Sequence, residues 1–159
     1  MVTRLYSLSM GLLRAETVFD KYYEEATILF ASGKTDDQLV EEIPDAITNL
    51  KKNALVRSGS LLSVYLGLLY AVVEAWRDGK FVDDAVEKLL KNQFVKDLKS
   101  HRNAIFHVSE ATDPRIMQWG LDPNRVVWAK ELASALRSGL LSYHADLETK
   151  AVIHITKPT

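Results

Sequence analysis

The segment Lys99-Ser100-His101-Arg102-Asn103-Ala104-Ile105-Phe106-His107 gathers imidazole, guanidinium and amide groups into a short stretch. Imidazoles titrate near neutral pH and move protons in either direction, so His107 is a candidate general acid or base. Arg102 carries a permanent charge on a planar fork of donors that matches carboxylate or phosphoryl oxygens. Asn103 can orient a neighbour or bind an anion.

Placed on a helix at about 100° per residue, Arg102 lies between Val95 and Phe106 on one side and Leu98, Ile105 and Phe94 on the other. It therefore sits in the middle of the apolar stripe. A guanidinium there must find a carboxylate, meet a partner subunit or line a cleft, because a buried unpaired charge costs several kcal/mol. Asn103 and His107 share one face with Lys96 and Lys99. From Lys88 to Arg102 the bases are Lys88, Lys91, Lys96, Lys99 and Arg102, against the lone acid Asp97. The structural alternative stands beside each of these. An Arg followed at this distance by a His recurs by chance, and Arg137 with His144 forms a second loose match on ordinary amphipathic packing. Lysines on an exposed helix face are usually soluble surface, and His101 fits a flank or packing position better than a substrate contact.

The elements that must position these groups are helical. Gly and Pro number seven and four, which favours long uninterrupted helices. Apolar residues recur every three or four positions from about Thr3 to Phe30 and end at Ser32-Gly33, giving an N-terminal helix over about 3–31. Thr35-Asp36-Asp37 is a helix-start signal, and the five acids Asp36, Asp37, Glu41, Glu42 and Asp45 form an acidic segment. Pro44 opens a long helix that stops at Asp78-Gly79, with Ser58-Gly59-Ser60 as its expected break. Its stretch Leu61 to Val73 is apolar nearly all round and reads as the buried centre, too short to cross a bilayer. Asp83-Asp84 starts a short helix to Lys91, and a further helix covers roughly Gln93 to Phe106. The stretch from Val108 to Asn124, with Pro114, Gly120 and Pro123, reads as an irregular connection able to cover a site. Asp122-Pro123 opens a last helix that fades near Thr149, followed by the β-branched tail Val152 to Thr156. The expectation is an all-α, single-domain bundle of about five helices.

Composition narrows the chemistry. The 159 residues are 47% hydrophobic, which suits one domain with a sizeable core. Twenty Lys plus Arg against 21 Asp plus Glu give a net charge of -1, so any contact with nucleic acid must be local. Without cysteine there is no disulfide, thiolate metal site or thiol nucleophile, and four histidines remain. No glycine-rich phosphate loop, paired-histidine zinc helix, calcium loop or nucleophile elbow occurs. No metal site and no cofactor are expected. The early charges Arg14 and Glu16 interrupt any export signal, so a cytoplasmic location away from membranes is expected.

Arg102-Asn103-Ala104-Ile105-Phe106-His107 resembles the signature of the HEPN superfamily, an Arg separated from a His by four to six residues, commonly with a polar residue straight after the Arg. The element order over about 46–146 is similar too: a long apolar helix ending in Val73-Glu74-Ala75-Trp76, a short helix, the signature helix, a loop and a closing helix. The resemblance implies a homodimer in which two signatures line one cleft, often a metal-independent endoribonuclease serving as a toxin or defence effector. RNA would be the substrate, and an antitoxin or other protein a partner. It assigns Arg102, Asn103 and His107 to catalysis and Glu74 to support as counter-ion of Arg102. Beside them Lys96 and Lys99 form a local patch able to bind substrate phosphates, with His101 a lesser candidate for substrate binding. Other members of the superfamily are non-catalytic modules that bind a nucleotide, an RNA or a partner protein. Tyr65, Tyr70 and Trp76 fit core or dimer-interface positions better than a base-stacking platform.

Overall fold

The computed structural model describes residues 2–30, 45–107 and 113–155. Among them six helices and no strand are found: α1 (Val2–Phe30), α2 (Asp45–Asp78), α3 (Asp84–Leu90), α4 (Phe94–Phe106), α5 (Pro114–Leu121) and α6 (Pro123–Ile155). The chain is an all-α helical bundle.

The spaced apolar residues of α1 become its buried side: Leu5, Leu8, Leu12, Ala15, Phe19 and Ala26. Gly11 meets Val72 and Glu25 pairs with Arg57, so α1 runs antiparallel to α2. Glu16 pairs with Arg137 and Ser9 with His144, so α1 runs antiparallel to α6 as well. The Tyr65 hydroxyl donates to the Ala129 carbonyl at 3.1 Å, while Trp76 packs against Gly139, which sets α2 parallel to α6. α4 lies along another side of α2, with Glu74 near Arg102 and Gly67 near Phe106.

Coverage on several sides explains why α2 is apolar nearly all round. Leu62, Tyr65, Leu66, Leu69, Val72, Val73 and Trp76 are all buried. Counted with its charged ends, Arg57–Asp78 is long and apolar enough to cross a membrane by length and composition, which corrects the shorter span read from sequence. Half of that window is buried within the bundle. The same helix runs through Ser58-Gly59-Ser60 without a break. Gly59 meets no side chain that would need its space, so it costs propensity without interrupting the hydrogen-bond ladder.

The end of α2 departs from its sequence signal. Lys80, not Gly79, takes the left-handed conformation, at φ 55°. The Phe81 N–H donates to the Trp76 carbonyl and the Lys80 N–H to the Arg77 carbonyl, a Schellman closure. The accompanying apolar contact is Phe81 on Trp76, with ring centroids 5.4 Å apart. Gly79 is needed because a Cβ there would stand 2.3 Å from the Phe81 ring. The Tyr143 hydroxyl then clamps the following loop, accepting from Val82 N–H and donating to its carbonyl.

Asp83 caps α3 by accepting from the Ala85 and Val86 N–H groups, as its type predicts. The stretch expected to be irregular contains α5. Pro114 stands in the first turn, where its missing N–H breaks no bond, and the Asp113 side chain accepts from Arg115 N–H. α6 continues to Ile155 through the expected tail, since β-branched residues disfavour a helix only slightly. The Ser32-Gly33 stop, the Thr35 start, the acidic run up to Pro44 and the loop 108–112 lie outside the described residues.

Candidate functional site

α4 is positioned by Val95, Leu98, His101 and Ala104, which are buried. Relative to Arg102 these span from about +20° to about -160°, so the buried stripe centres between Leu98 and His101. Arg102 is at its edge, with 38% of its side chain exposed, instead of in its middle. The sequence pattern misplaced the stripe for two reasons. Phe106 looks apolar but is 68% exposed, and His101 looks polar but is 1% exposed.

His101 is thereby corrected from a substrate-binding position to a packing one. Its Nδ1 lies 3.1 Å from the Arg115 carbonyl, and its ring meets Trp119 edge-on. Burial lowers its pKa below the ordinary histidine value, opposed by the backbone of Arg115 and Ser63. A ring sealed between α4 and α5 has no surface left for a solute. The connection after α4 thus covers His101 through Trp119, while Arg102 stays accessible.

The Arg102 guanidinium is held on three sides. One nitrogen donates to Asn103 Oδ1 at 3.2 Å, another lies 3.8 Å from Glu74 Oε2, and its Cζ stands 5.2 Å from the Phe106 ring centroid. The 3.8 Å separation and 43% exposure of Glu74 make this a loose, wet ion pair. Glu74 also neighbours the buried Tyr70, whose pKa is raised by burial first and by the Glu74 charge second, with Arg77 and Arg102 opposing. Arg102 therefore keeps donors directed to solvent.

His107 is the exposed C-cap of α4, and its backbone N–H donates to the Asn103 carbonyl at 3.0 Å. Among the described residues its ring has no hydrogen-bond partner. Asn103 turns its side chain to Arg102 and so does not orient that ring. The spacing rotates Arg102 and His107 about 140° apart, so one copy presents them from adjoining sectors. Lys96 and Lys99 are exposed between them on the same side of α4. The one acid of this basic segment, Asp97, is engaged by Arg125, whose guanidinium also covers Phe94 and Trp119. That pairing leaves Lys96 and Lys99 without the one acid of their own segment.

Arg125 went unnoticed in the sequence because an Arg after Asp122-Pro123 looks like ordinary helix-start surface. Phe106 belongs to the apolar stripe by type, and its exposure distinguishes it. Arg137 and His144, the second loose match, bind Glu16 and Ser9 and join α6 to α1. Tyr65, Tyr70 and Trp76 are core residues. A cavity of about 190 Å³ between α1 and α6 involves Glu16, Phe19, Tyr65, Lys130 and Arg137 and no residue of α4. Among the described residues no three His, Asp or Glu converge as metal ligands.

In comparisons with protein-family models, curated proteins and solved structures, nothing matches this chain.

Proposed function

We propose that the chain is a HEPN-like, metal-independent endoribonuclease acting through the outer face of α4. The observation that carries the reading is Arg102, a half-exposed guanidinium tied loosely enough to keep donors for a phosphate, on the same short helix as an exposed imidazole. In the reaction the RNA 2′-hydroxyl attacks the adjacent phosphorus. The 2′-O–P bond forms as the P–O5′ bond breaks. A base takes the 2′ proton and an acid supplies one to the departing O5′, leaving a 2′,3′-cyclic phosphate and a 5′-hydroxyl. Arg102 holds the phosphoryl oxygens while negative charge grows on them. His107 moves one proton, and a second copy of the chain supplies the other imidazole at a shared cleft. Such a homodimer also joins two guanidiniums at one phosphate, which suits the adjoining sectors that Arg102 and His107 occupy in one copy. A toxin or defence role, with a protein antidote and a cytoplasmic RNA target, belongs to the same proposal.

Purified chain incubated with mixed RNA in EDTA tests it. Cleavage to cyclic-phosphate ends, abolished in His107→Ala and reduced about a hundredfold or more in Arg102→Ala, is the expected result. Intact RNA across pH and salt, or cleavage that survives His107→Ala, rejects it. A second reading has its own observation: no residue orients the His107 ring among those described. That favours a non-catalytic module binding RNA, a nucleotide or a protein. A nucleotide or partner retained through purification, without cleavage, selects this alternative.

A further inference from the structure

Isolated exposed apolar side chains are ordinary, and Phe106 would need no comment if it stood elsewhere. Its surroundings set it apart. One side of the ring carries the Arg102 guanidinium at 5.2 Å, and one edge comes near Gly67, where a Cβ would lie 3.9 Å from Cε2. No side chain at position 67 covers the ring, and two thirds of its surface stays in water. Along α4, Phe106, Lys99, Asn103, Lys96 and His107 fall within an arc of about 100°. From Lys96 to His107 the rise along that face is about 16 Å. An aromatic plane thus stands among exposed cations and next to the exposed imidazole.

We propose that Phe106 is a nucleobase platform, stacking an unpaired base of a single-stranded RNA whose phosphates are held by Lys96, Lys99 and Arg102. This rests on the ribonuclease reading and adds to it the form of the substrate. The charge complementarity fits a polyanion, and the ring fits the one apolar surface an RNA strand can offer, the face of a base. A duplex hides those faces in its own stack, so the platform selects unpaired strands. Stacking tolerates any base, which makes the preference one of strandedness more than sequence. The Arg102 guanidinium on the ring holds Phe106 in place and aligns the phosphate fork beside the stacked base.

The test uses labelled strands of about twelve nucleotides, 2′-O-methylated so that the attacking hydroxyl is blocked. One is an oligoadenylate and the other carries abasic sugars throughout. Fluorescence anisotropy should show the unaltered chain and Phe106→Tyr binding the oligoadenylate about tenfold tighter than the abasic strand. Phe106→Leu, which keeps apolar bulk beside Gly67, should bind both strands alike. A Phe106→Leu variant that retains the full difference overturns the platform. If the unaltered chain cuts RNA yet shows no difference between the strands, the platform falls and the ribonuclease reading stands. If it neither cuts nor binds, both fall. Should Phe106→Leu convert a dimer to a monomer in light scattering with the base-dependent difference intact, the ring is a subunit contact and the platform is again overturned.

Discussion

Glu74 on α2 and Arg102 on α4 face each other at 3.8 Å with 43% and 38% of their side chains exposed. Exposed pairs of this kind contribute about 0–1 kcal/mol, because water screens the attraction and holding two long side chains costs entropy. Glu74→Gln and Arg102→Ala should each change the unfolding free energy in urea by about 1 kcal/mol or less. Their effects on function should diverge. Arg102→Ala should lower RNA cleavage by about a hundredfold or more, the scale of losing a charge-stabilising donor. Glu74→Gln should tighten RNA binding, since Arg102 loses its competitor for phosphate. A stability loss of several kcal/mol in Arg102→Ala would mark the pair as structural and count against a catalytic role.

His101 predicts a pH dependence whose sign follows from its burial. Its pKa in the folded chain is below the value of 6.5 for a free side chain, so below pH 6.5 the unfolded chain binds more protons. Stability therefore falls as the pH drops through the interval between the two values, and is fully retained above 6.5. His101→Gln keeps a polar side chain but removes this titration. The variant's Tm should fall less than that of the unaltered chain between neutral and mildly acidic buffer. Parallel Tm curves for the two proteins would show that His101 contributes nothing to acid sensitivity.

The bundle was legible in the sequence because its strongest signals are local and periodic. The stripe of α1, the apolar run of α2 and the capping aspartates at Asp83 and Asp122 each specify an element without long-range information. Where the reading failed, a side chain's role depended on a neighbour distant in sequence. His101 is buried because Trp119 and the Arg115 carbonyl close over it. Phe106, at the last residue of α4, stays exposed because its ring approaches α2 only by an edge beside Gly67, which has no side chain to cover it. Pro114 looked like a breaker because its position relative to a helix start cannot be judged until that start is known. The Arg102–Glu74 juxtaposition had only the resemblance behind it, since nothing local ties a residue of α2 to one of α4.

Two glycines in long helices should respond oppositely to the same substitution. Gly59 of α2 is exposed with open space where a Cβ would go, so Gly59→Ala should raise stability by about 1 kcal/mol through helix propensity. Gly139 of α6 lies under Trp76, and a Cβ there would come within 2.8 Å of the indole Cη2. That indole is wholly buried and cannot swing aside. Gly139→Ala should destabilise by about 1–3 kcal/mol despite the better propensity, the usual cost of overpacking a core. Thermal melts of the two variants check the pair, and equal shifts of one sign would contradict the close α2–α6 approach at Trp76 and Gly139.

The outer lysines of α4 make a prediction that separates phosphate steering from general surface charge. Lys96 and Lys99 are exposed beside Asn103, and Asp97, the one acid of the segment from Lys88 to Arg102, is occupied by Arg125. If each lysine neutralises one phosphate of a single strand, the dependence of log affinity on log salt loses about 0.7 for every lysine removed. The double variant Lys96→Ala with Lys99→Ala should therefore flatten the salt slope by about 1.4 and weaken RNA binding most at low salt. Its urea unfolding should be nearly unchanged, because neither lysine has a partner to lose among the described residues. A control pair, Lys88→Ala with Lys91→Ala, removes the same charge from α3 and its C-cap, off the face that carries Asn103 and His107. If the control flattens the slope as much as the α4 pair, the RNA contact is diffuse and not centred on the outer face of α4.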